Sequence, residues 1–195
     1  MNEELLIKAM QLFQTAEKWN AFNELANRRD DIQYRWWQKL RTEVHQRELH
    51  GGDPDWVIFT WGNWEIRWYV KGEHENSLAI HFSAHQWLRI CSGFGYLEPN
   101  KVNKLIEDQR FNEIVKPFDR IDWKSHDSIG AENKNFEFGS IHDHYFHDTR
   151  ALAWYAGNET EKFADQLIAK VRKFQTPKIT ALFKEINEKC RKDNP

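Results

Sequence analysis

Cysteine is scarce in this chain: 195 residues hold two, Cys91 and Cys190, far apart and in no CxxC pair. A disulfide scaffold is excluded, and free thiols in a reducing compartment are expected. No apolar run approaches the ~20 residues that span a bilayer. The opening Met1-Asn2-Glu3-Glu4 is acidic. A secretory signal has a basic start and an apolar run of about 7–15 residues. The expectation is a cytoplasmic protein that makes no membrane contact. Five prolines and nine glycines build no linker, and there is no internal repeat or low-complexity tract.

Motifs that carry chemistry are missing too. No serine sits in the glycine pattern of a nucleophile elbow. Gly93-Phe94-Gly95 lacks the third glycine of a dinucleotide fingerprint. There is no Walker-type phosphate loop and no helical HExxH. These absences argue for a protein that is not an enzyme and has no resident cofactor.

What the chain does have is aromatic residues: ten Trp, thirteen Phe and five Tyr. With 40% apolar and 30% charged residues, it reads as a water-soluble globule that can offset chain entropy. At this length one domain suffices, able to bury roughly 70% of its unfolded surface. Helical patterns come first, strand patterns next and helices last. That segregation indicates α+β rather than a parallel α/β sheet. The reading is a single domain over residues 1–195. N-terminal helices occupy 3–49. A central antiparallel sheet of about four to six strands occupies 56–138, with an inserted helix near 99–115. A C-terminal antiparallel helix pair lies within 148–191.

Local signals set the element boundaries. Ile32, Trp36, Leu40 and Val44 recur every four residues as one helical face. Pro99 suits a first helical position, and Thr176-Pro177 reads as a cap followed by such a proline. Gly157 is expected to close a helix and Asn158 to cap the next. Ile121 to Lys124 and Asn135 to Phe138 read as two short strands.

The most distinctive segment is a Trp-rich hairpin at 56–71. Gly62-Asn63 between two β-rich runs is a two-residue turn signal. That turn implies a register in which Trp61 faces Trp64, Phe59 faces Ile66 and Val57 faces Trp68. Val57, Phe59, Trp61, Trp64, Ile66, Trp68 and Val70 then share the core face. Trp56 opposes Tyr69 on the other face, near Glu65. Trp37 falls about 100° off the Trp36 stripe. Trp56, Tyr69, Glu65 and Trp37 are therefore the candidate binding residues, an aromatic patch with an acidic rim.

Pro54-Asp55 followed by Glu65-Ile66-Arg67 resembles the PD-(D/E)xK nuclease pattern, in which two carboxylates hold a metal and a lysine assists. Here Arg67 stands in the lysine's place. The two-residue turn puts Asp55 and Glu65 five residues apart, roughly 17 Å at ~3.3 Å per residue, and on opposite faces. Carboxylates so placed cannot share an ion. Asp122-Trp123-Lys124 is a second triplet of this kind. His142, His144 and His147 form a histidine cluster whose spacing suits a divalent metal.

Net charge is −2, unevenly spread. Residues 51–161 carry 11 basic and 18 acidic side chains, and residues 162–192 carry 9 basic and 3 acidic. The basic end, with Arg172 and Lys173, supports an alternative in which the chain acts on or binds nucleic acid. The favoured expectation is a non-enzymatic protein-binding module whose partner is another protein, such as a toxin-neutralising protein of the immunity kind.

Overall fold

The computed structural model describes residues 3–61, 65–83, 86–93, 95–116, 120–125, 128–133 and 149–192. The chain is α+β. In the described residues the elements run α1 (Glu3–Leu12), α2 (Ala16–Asn27), α3 (Arg29–Gly51), β1 (Trp56–Trp61), β2 (Glu65–Val70), β3 (Ala79–Ser83) and β4 (Gln86–Cys91). They continue with α4 (Pro99–Ile106), a 3-10 turn (Gln109–Phe111), α5 (Asn112–Val115), β5 (Arg120–Ser125) and β6 (Ser128–Asn133). Three helices follow: α6 (Thr149–Asn158), α7 (Thr160–Arg172) and α8 (Pro177–Cys190). The sheet order is β1-β2-β3-β4-β6-β5, with antiparallel neighbours throughout. A strand at 128–133 pairs with β5. The span 135–138 lies outside the described residues.

Capping chemistry explains several boundaries. Thr15 Oγ1 accepts from Lys18 N at the start of α2, and Thr176 Oγ1 accepts from Ile179 N at the start of α8, with Pro177 at the first helical position. Gly157 does not end α6 as expected. It lies inside the last turn, where a Cβ would meet Trp36 Cδ1 at 2.1 Å. The glycine is there to admit an indole ring. Helix α7 then begins at Thr160, whose hydroxyl donates back to Ala156 O at 2.7 Å.

The buried stripe of α3 is Trp37, Leu40, Val44 and Glu48. The expected stripe used a strict spacing of four, which drifts about 40° per step on a 3.6-residue helix. Spacings of three, four and four stay in line, so Trp37 turns inward and Trp36 sits on the flank. Trp37 packs its ring 6.0 Å from both Phe82 of β3 and Phe163 of α7. Glu48 extends the stripe because its carboxylate is paired: Arg172 of α7 donates Nη2 to Oε1 at 2.9 Å and Nη1 to Oε2 at 3.1 Å.

The hairpin register differs from the expected one by a single residue. Trp61 pairs with Glu65, Thr60 with Ile66, Ile58 with Trp68 and Trp56 with Val70. Three residues, not two, separate the paired ends. Side chains alternate along a strand, so this slip turns all of β1 over. Trp56 and Ile58 join Ile66, Trp68, Val70, Leu78, Ile80, Phe82, Leu88 and Ile90 in the core. Val57 and Phe59 take the other face. Tertiary packing overrides the turn signal: Trp56 lies 5.2 Å from the Phe183 ring and donates Nε1–H to Thr180 Oγ1 at 3.1 Å, both on α8.

Candidate functional site

The aromatic patch expected on the hairpin is not formed. Trp56 and Trp37 are buried, at 7% and 4% exposure, so neither is a surface anchor. Tyr69 pairs with Val57 and is half-buried on the face opposite Trp56. Glu65 is committed to His81, with Oε2 3.3 Å from His81 Nε2. The slip also brings Asp55 and Glu65 into phase, contrary to the opposite-face expectation. They remain six residues apart along the ladder, roughly 20 Å at ~3.3 Å per residue, so the nuclease pairing still fails on distance.

Some of the basic C-terminal residues are engaged by carboxylates. Arg172 is held by Glu48, Lys178 approaches Glu113 at 3.5 Å, and Lys189 pairs with Glu185 at 2.6 Å. Lys173 is exposed at the end of α7. Asp122 and Lys124 lie on β5, Asp122 in register with Gly130. His142, His144 and His147 fall outside the described residues. Among the described residues no group of three His, Cys, Asp or Glu side chains is arranged to hold a metal.

Two other features stand out. The first is a row of charged groups on the sheet face away from the core. Register pairs Arg67 of β2 with His81 of β3, and His81 with Arg89 of β4. Cys91 pairs with Ala79, one diagonal step from His81. Glu132 of β6 is in register with Arg89. Arg67 and His81 are each 2% exposed and Cys91 5%. Arg89 donates Nε–H to His81 Nδ1 at 3.0 Å, which leaves the imidazole proton on Nε2, toward Glu65. That Nε2 makes no aligned hydrogen bond. Arg67 donates to Ser77 O at 3.4 Å.

Three pKa values on this face are moved together. His81 beside it holds the Glu65 carboxylate below its ordinary range, against burial. Burial opposes charge on His81, but the Cys91 sulfur and Glu65 outweigh it and raise the imidazole, with Arg89 working against them. Burial pushes the Cys91 thiol up, and His81, helped by Arg67 and Arg89, more than reverses that. Cys190 behaves oppositely, its thiol pushed up by burial. No motif search finds such a cluster. Its only trace in the sequence is Glu65-x-Arg67, then His81, then Arg89-x-Cys91, residues of one parity on successive strands.

The second feature is the α1–α2 arm. Large apolar residues at least two-fifths exposed are concentrated there: Leu6, Ile7, Met10, Leu12, Trp19, Phe22 and Leu25. Helix α2 buries no residue. Phe13, Trp19 and Phe22 cluster at the elbow, with ring centroids 4.5–6.0 Å apart. The composition that suggested an aromatic binding surface is therefore present, but on the arm rather than on the hairpin.

The chain matches no protein-family model, no curated protein and no solved structure.

Proposed function

We propose that the chain is a non-enzymatic protein-binding module and that α1–α2 is its binding element. One observation carries this reading: the arm exposes seven large aliphatic and aromatic side chains between Leu6 and Leu25, with Trp19 and Phe22 in one ring cluster, more than scattered surface apolar residues explain. The helices are 10 and 12 residues long. Isolated helices below ~12–15 residues are marginal in water, so this pair gains most from a surface to dock on. Trp and Phe at one elbow suit anchor residues in an apolar groove. The charge of the arm does not suit a membrane anchor: Glu3, Glu4, Glu17 and Glu24 outnumber Lys8 and Lys18, where interfacial helices favour cations. Toxin neutralisation of the immunity kind keeps its place as a form of this reading, with the contact surface moved from the hairpin to the arm.

The test places a photo-crosslinking residue at Phe22 and, as control, at Lys184 on α8. The expected result is a protein adduct from position 22 alone, lost in the Trp19→Ser variant while the circular dichroism and unfolding midpoint stay unchanged. An adduct with a second copy of the chain would make the arm an oligomer interface. No protein adduct, an adduct indifferent to Trp19→Ser, or binding to anionic vesicles in its place would overturn the proposal.

A further inference from the structure

We propose that a second copy of this chain covers the α1–α2 arm, so that two arms meet about a two-fold axis in a four-helix contact. This rests on the reading above that the arm is a binding element, and it names the occupant. At 100° per residue, the exposed Leu12, Leu6, Met10 and Ile7 spread over about 220° of the circumference of α1, and Glu4, Lys8 and Gln11 fall in the rest. A helix on the surface of a globular protein carries an apolar stripe about 100° wide or a little more. A helix apolar over twice that arc needs cover from two sides. Helix α2 is the ordinary case, with Trp19, Phe22 and Leu25 spanning about 120°. Within one copy the two helices meet at the elbow, where Phe13 touches Trp19 and Phe22. Beyond the elbow α1 has room for two neighbours, and a second arm supplies two helices.

Area, charge and the rest of the surface agree on this occupant. Side chains of this size carry roughly 150–250 Å², so at 41–67% exposure the seven leave about 700 Å² open per copy. A standard specific interface takes ~800 Å² from each partner, which two arms nearly supply by themselves. Residues 3–28 hold four acids and three bases, and Glu4–Lys8 at 2.8 Å and Glu24–Arg28 at 3.7 Å pair within the arm. Such a surface calls for no strongly charged partner and repels its own copy little. Among the described residues outside the arm, the large apolar side chains more than a third exposed are Leu49 and Trp154, too few to seat a partner's arm. Arm therefore meets arm, an isologous contact of the kind that closes a two-fold dimer.

The experiment measures the mass of the purified full-length chain by sedimentation equilibrium over roughly 1–200 μM. In parallel, isotope-labelled and unlabelled copies are mixed, each with an aromatic photo-crosslinking residue at Phe22. A dimer is expected at the upper concentrations, with crosslinks joining position 22 of one isotope to α1 or α2 of the other. Met10→Glu sets a charge on the exposed face of α1 and should weaken dimerisation at least tenfold. Its circular dichroism and its unfolding midpoint in dilute solution should match the parent, because Met10 is exposed in the single chain. Met10→Leu should keep the dimer. A chain that stays monomeric at the highest concentration overturns the proposal without recourse to any variant. So does a dimer indifferent to Met10→Glu, or one crosslinked outside the arm. A monomer whose position 22 captures a different protein loses the self-pairing and keeps the arm as a binding element; a monomer that captures none loses both.

Discussion

Trp56→Ala decides between the two hairpin registers. With three residues between β1 and β2, Trp56 is 7% exposed, packed on Phe183 and bonded through Nε1 to Thr180. Truncating a buried Trp costs about 3–5 kcal/mol, and part of that is the Thr180 hydroxyl left without its donor. Typical domains are stable by only ~5–15 kcal/mol, so the variant should be severely weakened. Trp56→Phe keeps a ring against Phe183 and loses the hydrogen bond, for about 1–2 kcal/mol. Phe59→Ala is the control, because Phe59 is half-buried on the other face and should cost clearly less than Trp56→Ala. With a two-residue turn the order inverts: Phe59 would be core, and Trp56→Ala would fall within about 0.5 kcal/mol of the parent. The assay is urea unfolding followed by far-UV circular dichroism, comparing midpoints at constant slope. A Phe59→Ala cost above that of Trp56→Ala would refute the register and, with it, the burial of Trp56.

Two further outcomes follow from the same geometry. Gly157→Ala improves helix propensity by about 1 kcal/mol, yet its Cβ would meet the Trp36 ring at 2.1 Å. Overpacking costs ~1–3 kcal/mol, so the unfolding midpoint should fall, and in a Trp36→Ala background the same substitution should raise it. Stabilisation by Gly157→Ala alone would mean that the ring does not lie there. Glu65 has its folded pKa lowered, chiefly by His81. Its contribution is therefore complete above the ordinary value of 4.5 and is lost as pH falls through the lower folded value. Glu65→Gln should flatten the decline of Tm between pH 5 and 3, and an unaltered decline would count against the pair.

The order of elements was legible because it is written in local signals. Thr15, Pro99 and Thr176-Pro177 mark helix starts through hydrogen bonds and ring constraints that involve only their neighbours. Gly157 was misread for the opposite reason: a glycine that ends a helix and one that admits a ring look alike in sequence. The ring came from Trp36, 121 positions earlier. The span 128–133, Ser-Ile-Gly-Ala-Glu-Asn, pairs as a strand although its small and polar residues give weak strand propensity.

The candidate site depends on one integer that the local sequence does not set, the number of residues between Trp61 and its partner. A count of two exposes Trp56 beside Glu65 and makes the hairpin a binding surface. A count of three sends Trp56 to Thr180 and Phe183 on α8, and it leaves the hairpin's outer face with Val57 and Phe59 beside Arg67. Local turn preference is worth far less than burying an indole with its N–H satisfied, so the distant helix sets the count. That choice also relocates the surface aromatics. With Trp56, Trp68 and Trp37 in the core, exposed aromatic area among the described residues includes Trp19 and Phe22 on α2. The binding reading therefore moves to the arm, whose helix α2 buries no residue in return for its apolar side chains, and this is where a partner has most to offer the fold.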